Sequence, residues 1–120
     1  MEPVRVIIAD DETIALEGES GYVSTMAGFS VAGKAHDGLE ALEMVRNIGA
    51  DIVITDIRMP RYDGLWLIEN LERENHNVTV IIISAYDDKN YLLKAIRSSS
   101  VFDYLTKPFL FEELQFLSVI

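Results

Sequence analysis

Apolar residues fall in short runs along this chain, and the runs are rich in valine and isoleucine. Val4-Arg5-Val6-Ile7-Ile8-Ala9, Phe29 to Ala35, Ile52-Val53-Ile54-Thr55, Val78 to Ile83 and Phe102 to Thr106 each have the length and β-branched content of a strand. Between them the apolar spacing changes to that of helices. Gly38 to Asn47 is the clearest, with Leu39, Leu42, Met44 and Val45 toward a sheet, Glu40, Glu43 and Arg46 toward water, and Gly49 marking its end. Leu65 to Arg73 offers the stripe Leu65, Leu67, Ile68 and Leu71, and Asp88 to Ser98 offers Tyr91, Leu92, Ala95 and Ile96. A first helix from about Thr13 to Met26 is weakened by Gly18 and Gly21, each costing about 1 kcal/mol relative to alanine in a helix interior. A fifth helix begins near Phe111, with Leu114, Leu117 and Val119 for packing. Strands alternating with helices predict repeated βαβ units: an α/β, doubly wound, three-layer sandwich with a five-stranded parallel sheet and helices on both faces.

The residues that end the runs change the picture from fold to chemistry. The first run stops at Asp10-Asp11, the third at Asp56, the fourth at Ser84 and the fifth at Lys107-Pro108. Ligands of an open parallel sheet bind beyond the carboxyl ends of its strands, so these side chains converge although they are distant in sequence. An aspartate after a strand commonly caps the next helix, which accounts for one such acid but not for three. Packing like charges together is unfavourable without a cation, and magnesium favours a few carboxylate oxygens with several retained waters. Three acids, a hydroxyl and a lysine therefore suggest a divalent-metal and phosphoryl site, with Asp11 and Asp56 as direct ligands and Asp10 nearby.

Composition narrows the options. The 120 residues, 49% hydrophobic and 25% charged, suit one globular domain spanning 1–120. No apolar stretch approaches the roughly 20 residues of a membrane span, and Met1-Glu2-Pro3 does not open a secretory signal, so a cytoplasmic protein is expected. The absence of cysteine removes disulfides, thiolate metal sites and a cysteine nucleophile. A net charge of −10 argues against this domain gripping a nucleic-acid backbone by itself.

Taken together, Ile8-Ala9-Asp10-Asp11-Glu12, Ile54-Thr55-Asp56-Ile57-Arg58-Met59-Pro60 with Asp63-Gly64, Ser84-Ala85, and Tyr104-Leu105-Thr106-Lys107-Pro108-Phe109 resemble the receiver domain of bacterial two-component response regulators. The match covers essentially the whole chain, in order. It implies the flavodoxin-like strand order 2-1-3-4-5 and a phosphorylation-activated switch rather than an enzyme, its own chemistry limited to slow magnesium-dependent phosphorylation and dephosphorylation. Under the resemblance Asp56 is the phosphoacceptor, Asp10 and Asp11 the acidic metal pair, and the Arg58 backbone carbonyl the third protein ligand of Mg2+. Lys107 pairs with phosphate oxygens, and Pro108 stands where the family has a cis peptide that steers Lys107 inward. Ser84 is the switch hydroxyl, and Tyr104 the aromatic that turns inward with it. Asp63-Gly64 forms the turn after the phosphorylation loop, Gly64 contributing conformational freedom. The implied partners are a sensor histidine kinase and, on activation, a second copy of the chain.

The wording around Ser84-Ala85-Tyr86-Asp87-Asp88 and Thr55 to Pro60 resembles receivers of AraC-type, YesN-like transcription regulators. DNA would then be reached only through an output domain outside this chain. With only about ten residues after Phe111, the last helix is short, and the gene product is expected to continue past Ile120. Two departures stand out: Ser98-Ser99-Ser100 replaces a turn that usually holds glycine, and the Ser84 to Lys107 interval is one residue longer. His36 and His76 read as solvated turn residues rather than phosphohistidines, and Trp66, Tyr86 and Tyr91 as packing or partner-face aromatics. Two other readings compete. A haloacid-dehalogenase-like phosphatase shares the aspartate, magnesium and lysine, but needs Asp-x-Asp where this chain has Asp10-Asp11-Glu12-Thr13, and a cap insertion absent here. A non-phosphorylated pseudo-receiver scaffold has no need of the acids, hydroxyl and lysine that are all present.

Overall fold

A computed structural model describes residues 2–85 and 87–119 of the chain. Tyr86 and the side chain of Val119, both singled out in the sequence, lie outside the described residues. Five strands, β1 (Val4–Ala9), β2 (Phe29–Ala35), β3 (Ile52–Asp56), β4 (Thr79–Ser84) and β5 (Val101–Thr106), form one parallel sheet in the order β2-β1-β3-β4-β5. Helices α1 (Thr13–Thr25), α2 (Gly38–Asn47), α3 (Gly64–Arg73) and α4 (Lys89–Ala95) connect them, and a 3-10 helix spans Phe111–Val119.

Alternation along the central strands separates two cores. Ile7, Val53, Val80 and Ile82 face α2, α3 and α4 through Ala41, Leu42, Val45, Leu67, Ile68, Leu71 and Ala95. Val6, Ile8, Ile52, Ile54, Ile81 and Ile83 face α1 and the 3-10 helix through Leu16, Val23, Leu114 and Leu117. A sheet covered on both faces needs apolar residues at successive positions, which is why these strands read as unbroken runs. α1 forms despite its two glycines because its Leu16 and Val23 are fully buried on the sheet. Tertiary burial here outweighs local propensity.

The carboxyl ends of β1 and β3 lie where the chain reverses its winding, since β2 is laid on one side of β1 and β3 on the other. Local contacts fix the loops there. The Asp63 side chain accepts from the Trp66 N–H (2.9 Å) and caps α3, and Asp37 does the same for Glu40 on α2 (2.9 Å).

Two expectations need correction. α4 stops at Ala95 instead of Ser98; Leu92 and Ala95 pack inward, but Tyr91 and Ile96 are exposed. The serine segment forms its own turn instead, Ser98 N–H donating to the Ala95 carbonyl and Val101 N–H to that of Ser98. The fifth helix begins at Phe111 as expected and is a 3-10 helix. Gly64 is required by space and not by freedom of rotation: a Cβ there would lie 2.3 Å from the Asp56 carbonyl oxygen.

Candidate functional site

Asp10 leaves the end of β1 with its N–H donating to the Ala35 carbonyl of the neighbouring strand (3.0 Å). Its side chain is fully buried. Asp56 is the last residue of β3 and is likewise buried, whereas Asp11 is exposed at the rim. Asp10, Asp11 and Asp56 each offer an oxygen, and these oxygens all lie within 4.8 Å of one another. Lys107, at the end of β5, reaches across: its Nζ stands 2.9 Å from Asp56 Oδ2, 3.8 Å from Asp10 Oδ2 and 4.0 Å from Glu12 Oε1. The Lys107 backbone N–H donates to the Ser84 carbonyl (2.8 Å), which ties the lysine to the end of β4, and the Lys107–Pro108 peptide is cis. Ser84 is buried beside this junction. Tyr104, on the edge strand β5, is 43% exposed.

Sequence-distant residues are thus gathered at one edge of the sheet, and the charge there is unbalanced. Burial pushes the Asp56 carboxyl up to about 7 and the negative charge of Asp10 adds to this, against the hydrogen bond and charge of Lys107. Burial draws the Lys107 ammonium down, but its hydrogen bond and charge pairing with Asp56 prevail and hold it above its ordinary value. Asp10 Oδ1 accepts from the Glu12 N–H (2.9 Å), while Oδ2 is buried without a hydrogen-bond partner. An all-oxygen donor set with an orphaned carboxylate oxygen fits a hard divalent cation. The residues present are suited to magnesium.

Arg58 follows two residues after Asp56, its guanidinium 3.4 Å from Asp88 Oδ1 and 5.0 Å from the centre of the Tyr91 ring. Tyr91 and Trp66 are therefore engaged in local packing, Trp66 against Tyr62 with ring centres 4.7 Å apart. His36 follows β2 and turns to Glu40 (3.3 Å), and His76 turns to Glu74 (2.9 Å).

Two acids near the site escape the sequence reading. Asp88 is buried, accepts from the Ala85 N–H (2.8 Å) and fastens the loop after β4. Glu19, on α1, is only 2% exposed, and burial together with Asp10 and Asp56 pushes its carboxyl up to about 8. The signal for Glu19 was present: it falls three residues after Leu16 and four before Val23, within the apolar stripe of α1.

A buried carboxylate pair, a rim acid and a lysine thus meet at the switch point of a 2-1-3-4-5 sheet. The sequence profile of the response regulator receiver domain matches residues 6–117, and the chain belongs to that family. Among curated relatives it is 36% identical over 112 residues to the transcriptional regulatory protein MalR of Bacillus subtilis, covering 93% of this chain and 47% of MalR. It is 37% identical over 105 residues to YesN of Bacillus subtilis, an uncharacterized transcriptional regulatory protein, covering 87% and 28%. The chain spans about half the length, or less, of the curated relatives it matches. Among solved structures, the receiver domain of AraT from Geobacillus stearothermophilus superposes with a TM-score of 0.86 at 35% identity, covering 97% of this chain and 90% of that one. The receiver domain of a NarL-type regulator from Mycobacterium tuberculosis gives 0.89 at 28% identity, covering 99% and 95%.

Proposed function

We propose that the chain is a phosphorylation-activated receiver in which Asp56 accepts a phosphoryl group, with Mg2+ held by Asp10, Asp11, Asp56 and the Arg58 carbonyl. What carries the reading is the position of Lys107 Nζ, 2.9 Å from the buried Asp56 carboxylate and facing the acidic cluster. The bound cation would offset negative charge on the carboxylates and on the incoming phosphoryl group. Asp56 Oδ attacks phosphorus as the bond from phosphorus to the imidazole nitrogen of a histidine kinase breaks, its electron pair leaving with nitrogen. Lys107, released from Asp56, pairs with the phosphoryl oxygens as a mobile point charge. Ser84 donates its hydroxyl to the same group, and Tyr104 moves from its exposed place on β5 as that hydroxyl shifts.

The output lies in the changed surface, which promotes self-association of two receivers in the cytoplasm. Transcriptional control would run through a DNA-binding region, AraC-type in the YesN-like reading, beyond the residues described. The net charge of −10 supports placing any DNA contact elsewhere. Acetyl phosphate with magnesium should label the wild-type chain with a base-labile phosphate, and Asp56→Asn should take up none. Undiminished label on the Asn variant would sink the assignment.

A further inference from the structure

Glu19 is a buried acid near the site that has no task in phosphoryl transfer. Its side chain is almost wholly enclosed, yet Oε1 has no hydrogen-bond donor. Asp10 Oδ2 is in the same condition, and Lys107, which stands 3.8 Å from that oxygen, lines one groove with Glu19. Lys107 hydrogen-bonds neither oxygen: it is 3.8 Å from Asp10 Oδ2 and donates to Asp56 at 2.9 Å. Glu19 also lines a groove of about 490 Å³ with Glu12, Ala15, Lys107, Phe109 and Phe111, so water can approach the cluster from that side. A buried carboxyl oxygen without a hydrogen-bond partner is costly, and two in one acidic cluster cost more.

A hydrated divalent cation would supply what both oxygens lack, since magnesium retains several waters whose protons are donors. Carboxylates behind the direct ligands orient those ligands and raise the affinity of a metal site. We propose that Glu19 is a positioning residue of the divalent-cation site, a buried carboxylate behind Asp10 that strengthens the hold on the cation. The inference rests on the reading of Asp10, Asp11 and Asp56 as cation ligands. It makes this receiver's cation affinity depend on a residue of α1 that is not itself a ligand.

The test is a calorimetric titration of Mg2+ and Mn2+ into the wild-type chain, Glu19→Gln and Glu19→Leu, with thermal melts of each in EDTA. Both variants should bind the cations about 10- to 100-fold more weakly than wild type. Glu19→Leu should melt in EDTA no lower than wild type, because it replaces an unpaired buried carboxylate by an apolar side chain; the weaker binding then does not come from unfolding. Should Glu19→Leu fail to fold, the near-isosteric Glu19→Gln carries the comparison alone. Affinities of the variants within twofold of wild type would overturn the role of Glu19 while leaving the cation site intact. A wild-type chain that binds neither cation would overturn the cation site itself, and the two failures are thereby distinct.

Discussion

At the scale of single residues, the site depends on close backbone approach as much as on its charged groups. A Cβ on Gly64 would sit 2.3 Å from the Asp56 carbonyl oxygen and 2.9 Å from Ile57 Cα, and the Gly64 N–H already donates to the Ile57 carbonyl (2.9 Å). None of those atoms belongs to a side chain that could swing aside. Gly64→Ala should therefore destabilise the domain by about 1–3 kcal/mol through overpacking, read as a lower urea midpoint at unchanged slope. Because the displaced atoms belong to Asp56 and Ile57, its phosphate uptake should also slow. An alanine variant with the wild-type midpoint would show that the loop yields freely. The sequence placed Gly64 in a turn, whereas it opens α3, and it could not reveal why glycine stands there, since what stands opposite a glycine is a tertiary fact. Glu19 makes the complementary case: its place in the stripe of Leu16 and Val23 was legible, but an acid on an apolar face usually looks like an interruption of the stripe.

Among elements, legibility followed the strength of the periodic signal. β1 and β3 were readable because both their faces are covered, and α2 because its apolar face is sharply divided from Glu40, Glu43 and Arg46. α4 was overextended because Tyr91 and Ile96 complete a helical spacing that the fold leaves in solvent. Periodicity reports which residues could share a face, not whether a partner covers it. Contacts between elements are still less visible in the sequence. Arg46 of α2 holds Glu74, just beyond α3, through Nε to Oε1 (2.9 Å) and through Nη2, and His76 joins the same carboxylate. The hydrogen bond from Arg46, then that from His76, holds the Glu74 carboxyl down at about 2 against an ordinary 4.5. A folded-state value below the unfolded one stabilises the fold above pH 4.5, and the contribution is lost as pH falls toward 2. The pair reaches solvent through the exposed Arg46 and is screened, so the effect is modest. Urea unfolding between pH 5 and pH 2 should show a shallower loss of stability in Glu74→Gln than in wild type; identical acid limbs would remove Arg46–Glu74 from the account.

For the whole molecule, the strand order, the two cores and the gathering of Asp10, Asp11, Asp56, Ser84 and Lys107 at one edge follow from rules that sequence already obeys. Strand ends carry the chemistry, and the switch point fixes where they meet. The charge balance is a property of the whole chain as well. A net charge of −10 means that any salt relieves some self-repulsion and stabilises the compact state. Only a cation seated in the acidic cluster adds a saturable term, worth about 2.7 kcal/mol at one hundred times its dissociation constant. At roughly 4 °C per kcal/mol, that is a rise of about 10 °C in melting temperature. Magnesium chloride should therefore raise the melting temperature along a saturating curve, well above sodium chloride at matched ionic strength. Asp11→Ala should lose most of the difference between the two salts while keeping the shallow rise common to both, because Asp11 is exposed and its removal leaves the cores untouched. If the two salts stabilise the wild-type chain equally, the carboxylates of Asp10, Asp11 and Asp56 are responding to screening alone, and the cation site is not there.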